Sequence, residues 1–142
     1  MVNSFEDIKK FINDKSFKKI FVLCGKKSFA TSGAEDLFKK IITDKEIKIF
    51  YKKAEIPILD ELVEIINNIK NFKPDLILAV GGGATIDYAK IANVVDARKD
   101  LAELIVNYSY QFKKKFTKLA VIPTTAGSGA EVTSNAVIYV DG

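Results

Sequence analysis

The stretch LILAVGGGATIDYAK, residues 76–90, decides the fold of this 142-residue chain. Its first five residues are continuously apolar, which is typical of a strand buried on both faces of a parallel sheet. Three glycines then lead into TIDYAKIANVV, residues 85–95, which we predict to be a helix. A buried strand, a glycine turn and a helix together make one unit of an α/β fold.

The same alternation continues on both sides of this unit. Apolar runs predict further strands at 19–24, 119–123 and 136–140, and alternating apolar residues predict one at 46–51. Apolar residues at three- and four-residue intervals predict helices near 4–14, 34–43, 58–71 and 100–107. Small residues predict a turn at 25–33, GKKSFATSG. We therefore expect one α/β domain over residues 1–142, with an open, mainly parallel sheet flanked by helices.

The charged residues argue against a nucleic-acid partner. The chain has 22 Lys plus Arg against 18 Asp plus Glu, a net charge of +4, but only Arg98 is an arginine. Nucleic-acid interfaces depend on arginine for bidentate contacts. Mild basicity still suits an anionic small ligand.

The remaining composition limits the compartment and the chemistry. With Cys24 as its only cysteine and no secretion signal, the chain is expected in the cytoplasm. No run approaches the roughly 18–20 apolar residues of a membrane span, so no membrane role is predicted. The chain has no histidine, so it cannot assemble a catalytic zinc or iron site from nitrogen and sulfur ligands.

The glycine turn, Gly81-Gly82-Gly83, is the first candidate site. Glycines let backbone amides come close to a bound group, and a helix start adds free N–H donors and a positive dipole end. A phosphate or pyrophosphate fits there, although a tight turn without any ligand would read the same way. The turn does not match the GxGxxG fingerprint, because it follows the third predicted strand and its sixth position is Ile86.

The second candidate site is PTTAGSGAEVTSN, residues 123–135, which also follows a predicted strand. Ligands of open α/β sheets bind at the carboxyl ends of the strands, where hydroxyls and free amides would surround a polar group. The alternative is a Gly/Ser/Thr-rich surface loop.

Together the two segments resemble the iron-containing alcohol dehydrogenase family. Residues 81–90 match its signature GGGS-x-x-D-x-A-K with Ala84 in place of serine, and residues 123–133 match PTTAGTGSEVT with Ser128 and Ala130 replacing threonine and serine. The opening VLCGKKSFATSG is also similar to the family's first strand and turn, so the resemblance covers most of the chain. It departs where the family often has Asn-Pro, because here Ile56 precedes Pro57.

This resemblance implies a Rossmann-like domain that binds NAD or NADP. A C-terminal helical domain, expected beyond Gly142, would hold a divalent metal, iron or zinc. The chain therefore resembles the first half of a two-domain dehydrogenase, cut or isolated at Gly142 and inactive alone. The whole enzyme would act on an alcohol or aldehyde and could be a homo-oligomer.

The resemblance also assigns cofactor contacts. It implies that Gly82, Gly83, Ala84 and Thr85 meet the pyrophosphate, and that Thr124, Thr125, Ser128, Thr133 and Asn135 line the ribose and nicotinamide side. We expect Asp87 in the first turn of its helix, complementing the helix dipole and orienting the glycine loop, with direct cofactor contact as the second interpretation. Lys90 would pair with Asp87 or be solvated.

Cofactor choice is expected at the end of the first strand. NAD-preferring relatives usually carry an aspartate there, whereas this chain has Gly25 followed by Lys26 and Lys27. Loss of the acid removes repulsion toward a 2′-phosphate, and a lysine could attract it, so NADP is favoured over NAD. Exposed turn lysines without a ligand remain the alternative.

Two other functions stay open. The chain could be a stand-alone nucleotide-binding or regulatory module. It could also belong to a related enzyme such as dehydroquinate synthase or glycerol-phosphate dehydrogenase, although the match at residues 123–133 favours the alcohol dehydrogenases.

Overall fold

A computed structural model describes residues 5–14, 17–41, 44–112, 114–125, 127 and 129–140. Strands and helices alternate along the chain. The strands are β1 (Lys19–Gly25), β2 (Glu46–Lys52), β3 (Leu76–Gly81) and β4 (Lys118–Pro123). The helices are α1 (Phe5–Asp14), α2 (Lys26–Thr31), α3 (Ala34–Ile41), α4 (Leu59–Phe72), α5 (Gly83–Ala92) and α6 (Leu101–Val106).

The four strands form one parallel sheet in the order β2-β1-β3-β4. The two central strands are the ones that the sequence predicted from continuous apolar runs, and β3 is buried at every residue. Burial on both faces explains that pattern, since helices cover a parallel sheet above and below. The predicted open α/β sheet flanked by helices is therefore confirmed.

Alternate side chains of β1 and β3 point into two separate cores. On one face, Phe21, Leu23 and Ile77 pack against α4, α5 and α6. On the other face, Val22, Cys24 and their neighbours pack against α1, α2 and α3. The period-two geometry of a strand makes this division, and each fully buried Leu, Ile or Phe contributes about 1.5–3 kcal/mol.

Helix α4 shows why the long apolar pattern predicted a helix so well. Leu62, Ile65, Ile66 and Ile69 are all buried against the sheet. The helix begins at Leu59 and ends at Phe72, one residue later at each end than predicted, and Lys73 closes it in the left-handed conformation. The longest helix in the described ranges has 14 residues, and none there is long and apolar enough to cross a bilayer.

The predicted turn at 25–33 is wrong over most of its length, because Lys26–Thr31 form α2. Phe29 is 1% exposed and its ring lies 5.7 Å from that of Phe38. Burial of this one aromatic ring anchors the short helix, and Lys26, Lys27 and Ala30 beside it are good helix formers. The lone phenylalanine was the signal in the sequence that could have revealed the helix.

The predicted fifth strand at 136–140 is also wrong. Its only strand-like pairing in the described part of the chain is a single parallel bridge between Ile58 and Tyr139. The side chains do alternate, with Ala136 and Ile138 packed against the core and Val137 and Tyr139 exposed. The segment therefore alternates as a strand would, but in the described ranges no neighbouring strand pairs with it to complete a ladder.

We expect Cys24 to be chemically inert in the folded chain. Its side chain is fully buried, and burial, with a smaller contribution from Glu35, raises the pKa of the thiol to about 12. Only about one thiol in ten thousand would be ionised at pH 8. Alkylation by iodoacetamide, followed by mass spectrometry, should be negligible in buffer and complete in denaturant. Alkylation of the folded chain at the rate of a free cysteine would contradict this expectation.

Candidate functional site

The carboxyl ends of β1 and β3 lie side by side at the point where the chain changes direction across the sheet. After β1 the chain goes to one edge of the sheet through α2 and α3, and after β3 it goes to the other edge through α5 and α6. The helices that follow these strands therefore lie on opposite faces and leave a crevice between the strand ends. Open α/β sheets bind their ligands at this switch point.

The glycine loop occupies this crevice and begins α5. Gly82 is the N-cap residue, and its carbonyl accepts hydrogen bonds from the amides of Thr85 at 3.1 Å and Ile86 at 3.2 Å. The amides of Gly83 and Ala84 precede these in the first turn, where an α-helix has no internal acceptors. They are the amides that an anion at the start of α5 would meet.

Close packing excludes a side chain at Gly81 and crowds one at Gly82. A Cβ atom on Gly81 would lie 2.4 Å from Oγ1 and 2.8 Å from Cβ of Thr85. Thr85 is itself only 1% exposed, so it has no room to move away. A side chain on Gly82 would lie 2.9 Å from Oγ1 of Thr125.

The loop after β4 thus lies directly against the glycine loop. The amide of Thr124 donates to the carbonyl of Gly81 at 3.0 Å. The hydroxyl oxygen of Thr124 is buried, and within the described ranges it is the one buried side-chain polar atom without a hydrogen-bond partner. Because such an atom costs about 1–3 kcal/mol when unpaired, it marks a position that a polar ligand would satisfy. Ser128, the other predicted hydroxyl of this loop, lies outside the described residues.

Gly25 lies at the end of β1, on the other side of the crevice. It is the N-cap residue of α2, and its carbonyl accepts a hydrogen bond from the hydroxyl of Ser28 at 3.1 Å. Lys26 and Lys27 follow in the first turn of α2 and are both exposed. A cation at a helix N-terminus is opposed by the helix dipole. An anion bound beside Lys26 and Lys27 would offset that repulsion for both side chains.

Asp87 and Lys90 do not occupy the positions expected of them. Asp87 is the fifth residue of α5, beyond the first turn, and its carboxylate accepts the amide of Val137 at 3.3 Å. The amine of Lys90 donates to the carbonyl of Asn135 at 2.9 Å and to Oγ1 of Thr133 at 3.2 Å. The expected Asp87–Lys90 pair is therefore replaced by contacts from each residue to the chain after β4.

These contacts place Thr133 and Asn135 beside the second half of α5. Both residues are exposed, and both line a groove of about 700 Å³ with mainly apolar walls, formed chiefly by the loops that flank α5 and α6 and by the chain after β4. The structure thus brings Thr124 and Thr125 to the glycine loop, whereas Thr133 and Asn135 lie farther along α5.

A buried network missed by the sequence analysis fixes the turn between β2 and α4. Glu61 is 6% exposed, and its carboxylate accepts the amides of Lys53 and Ala54 and the hydroxyl of Tyr88. The hydroxyl of Tyr88 in turn accepts the amide of Ile58 at 2.7 Å. Burial, together with the Glu61 carboxylate, raises the pKa of Tyr88, so it remains a neutral donor to Glu61. An acid as the third residue of a helix carries no recognisable signal of this network by itself.

The crevice is suited to a phosphate-containing ligand and offers no recognisable metal site. Its walls present backbone amides, the unpaired hydroxyl of Thr124 and the exposed hydroxyl of Thr125. In the part of the chain that the structure describes, no group of three His, Cys, Asp or Glu residues could hold a metal ion. Fold and crevice together define a Rossmann-like parallel α/β domain.

Comparison with known proteins identifies the family. The model of the family described as iron-containing alcohol dehydrogenase matches residues 2–142. The chain is 31% identical to the 1-propanol dehydrogenase of Citrobacter freundii over 121 residues, which are 85% of this chain and 29% of that protein. The chain belongs to the iron-containing alcohol dehydrogenase family.

Solved structures agree with this assignment. The crystal structure of an iron-containing alcohol dehydrogenase from Thermotoga maritima matches with a TM-score of 0.74 and 27% identity, over 96% of this chain and 38% of that one. Sulfoacetaldehyde reductase from Bifidobacterium kashiwanohense, solved in complex with NAD⁺, matches with a TM-score of 0.73 and 25% identity, over 91% of this chain and 34% of that one. The chain thus spans between about a quarter and two fifths of the length of these relatives.

We expect Gly81→Ala to destabilise the chain more than Gly82→Ala. The first substitution places a methyl group against buried Thr85 and should cost about 1–3 kcal/mol of unfolding free energy. The second meets only the hydroxyl of exposed Thr125, which can rotate, and should cost less than about 1 kcal/mol. Denaturant unfolding measures both values. Thr85→Ala should recover part of the Gly81→Ala loss in a double-mutant cycle, and equal losses for the two glycines would show that the packing is wrong.

Proposed function

We propose that this chain is the nicotinamide-dinucleotide-binding domain of a metal-dependent alcohol dehydrogenase or aldehyde reductase. The single observation that supports it most is the contact between the two signature loops. Gly82 and Thr125 approach within the width of one methyl group, beside the unpaired hydroxyl of Thr124. Two loops at neighbouring strand ends can therefore serve one ligand.

Different residues of the chain would bind different parts of the ligand. The amides of Gly83 and Ala84, at the positive end of α5, would bind the pyrophosphate. Thr124 and Thr125 would donate hydroxyls to the half of the ligand nearer β4, and the region around Gly25 would receive the adenosine half. Bound there, the nicotinamide would supply the redox chemistry, and the protein would supply position and orientation.

The metal is proposed to bind outside this chain. The described residues offer no cluster of ligands for it, and the sequence has no histidine. We infer that the metal binds in a second, helical domain, as the family resemblance implies, and that this domain would also form the other wall of the substrate cleft. The alcohol or aldehyde substrate is therefore a property of the whole enzyme.

We further propose that the cofactor is NADP in preference to NAD. Gly25 offers no carboxylate to accept the adenosine ribose hydroxyls, and a side chain there would lie 3.0 Å from the hydroxyl of Ser28. The exposed amines of Lys26 and Lys27 leave the same strand end and would attract a 2′-phosphate. The cofactor preference therefore rests on charge at one strand end.

Calorimetric titration of the chain with NADP, NAD and ADP tests both the ligand class and the preference. We expect NADP to bind most tightly. Replacing Lys26 and Lys27 together by methionine should weaken NADP binding roughly 2- to 30-fold, since exposed ion pairs contribute about 0.2–1 kcal/mol each. The same replacement should change NAD binding by less than about twofold. Higher salt should narrow the difference between the two cofactors.

A matched control removes two exposed lysines elsewhere. Lys99 and Lys114 are exposed and lie outside the crevice, so replacing both by methionine should leave the NADP preference intact. Tighter binding of NAD than of NADP by the unmodified chain would refute the preference. Failure to bind any of the three nucleotides would refute the proposed function.

The isolated chain should not turn over an alcohol or an aldehyde. Catalysis by the family requires a metal, and the described residues provide no site for one. The pure chain, incubated with iron or zinc and assayed for absorbance change at the reduced nicotinamide band, should show no rate above the protein-free control. A metal-dependent rate that copurifies with the chain would contradict this expectation.

A further inference from the structure

The segment that follows β4 is held in place by side chains of α5. Lys90 contacts Thr133 and Asn135, and Asp87 contacts the amide of Val137. Farther on, Tyr139 exchanges backbone hydrogen bonds with Pro57 and Leu59 at the start of α4. We call residues 133–139 the return segment.

The return segment and the glycine loop therefore share one rigid support. Helix α5 begins at Gly83, and Lys90 lies seven residues later, which is about 10 Å along the helix axis. A ligand anchored at the first turn of α5 would find the return segment at a fixed distance from its anchor. The contacts of Lys90 set that distance, because they reach both ends of the Thr133–Asn135 turn.

The position of the return segment should affect the two halves of a dinucleotide differently. In the proposed function the adenosine half lies toward Gly25 and β1, and the nicotinamide half lies toward β4 and the loop that leads into the return segment. A change in the position of the return segment should then reach the nicotinamide half and spare the adenosine half.

We propose that Lys90 is a positioning residue for the nicotinamide half of the cofactor. It acts through Thr133 and Asn135 and does not touch the cofactor itself. This inference rests on the proposed function, since it assumes that a dinucleotide binds in the crevice.

The test compares the full dinucleotide with its adenosine part. Lys90→Met removes the donor but keeps the aliphatic length, and Lys90→Arg keeps the charge and the donors. Lys99→Met is the control, at an exposed turn outside α5. In Lys90→Met we expect binding of NADP to weaken about 5- to 10-fold while binding of ADP changes less than twofold. Lys90→Arg should recover most of the affinity, and Lys99→Met should leave both ligands unchanged.

A second measurement tests whether Lys90 holds the return segment in place. Hydrogen exchange, followed by mass spectrometry, should be faster over residues 133–139 in Lys90→Met than in the unmodified chain, with unchanged protection in β1 and β3. This measurement needs no ligand and shows whether the variant remains folded.

Three results would overturn the proposal. Equal weakening of NADP and ADP would show a general structural role, and unchanged NADP binding with faster exchange would show that the return segment does not position the cofactor. Unchanged exchange would show that Lys90 does not hold the segment. If the unmodified chain binds no nucleotide, the proposed function itself fails and this inference fails with it.

Discussion

The structure depends on a contact that leaves no room for a side chain. Gly81 lies against buried Thr85, and Gly82 lies against Thr125, so the end of β3, the start of α5 and the loop after β4 meet within a methyl group's width. The backbone hydrogen bond from Thr124 to Gly81 closes the same junction. This junction lies at the switch point of the sheet, where ligands of open α/β sheets bind. The close packing admits only backbone there, and backbone amides are the groups that bind an anion at a helix start. The packing and the candidate ligand site therefore have the same cause.

Side chains of helix α5 connect this junction to other parts of the domain. Its sheet-facing side buries Tyr88, whose hydroxyl joins Glu61 and the turn after β2, and its outer side presents Asp87 and Lys90 to the return segment. One helix thus fixes the loops on both flanks of the crevice. The short signature at residues 81–90 has few side chains that could bind a ligand directly. Most of its polar side chains hold backbone segments in position, and the backbone faces the crevice.

Elements whose structure depends on residues close together in the chain were predicted well from the sequence. The continuous apolar runs gave β1 and β3 because a strand buried on two faces needs no partner to reveal itself, and the spacing in α4 gave a helix within one residue of its observed bounds. The glycine loop and Thr124 could be expected together, since the carboxyl ends of adjacent parallel strands share an edge. What failed depends on distant parts of the chain. Phe29 makes α2 a helix by packing against α3, and residues 136–140 lack a neighbouring strand. The partners of Asp87 and Lys90 lie 43 to 50 residues away along the chain, where no local pattern could place them.

The position of Asp87 separates its carboxylate from the anion site that we propose at the start of α5. A negative charge in the first turn of α5 would compete with an anion for the same amides. Asp87 instead lies in the second turn, where its carboxylate accepts a backbone amide of the return segment, and Lys90 follows one turn later. The amide offsets part of its charge, and the distance from the first turn reduces the repulsion of an anion bound there. The signature can therefore contain an acid without weakening an anion site, because the acid and the amides serve different segments of the chain.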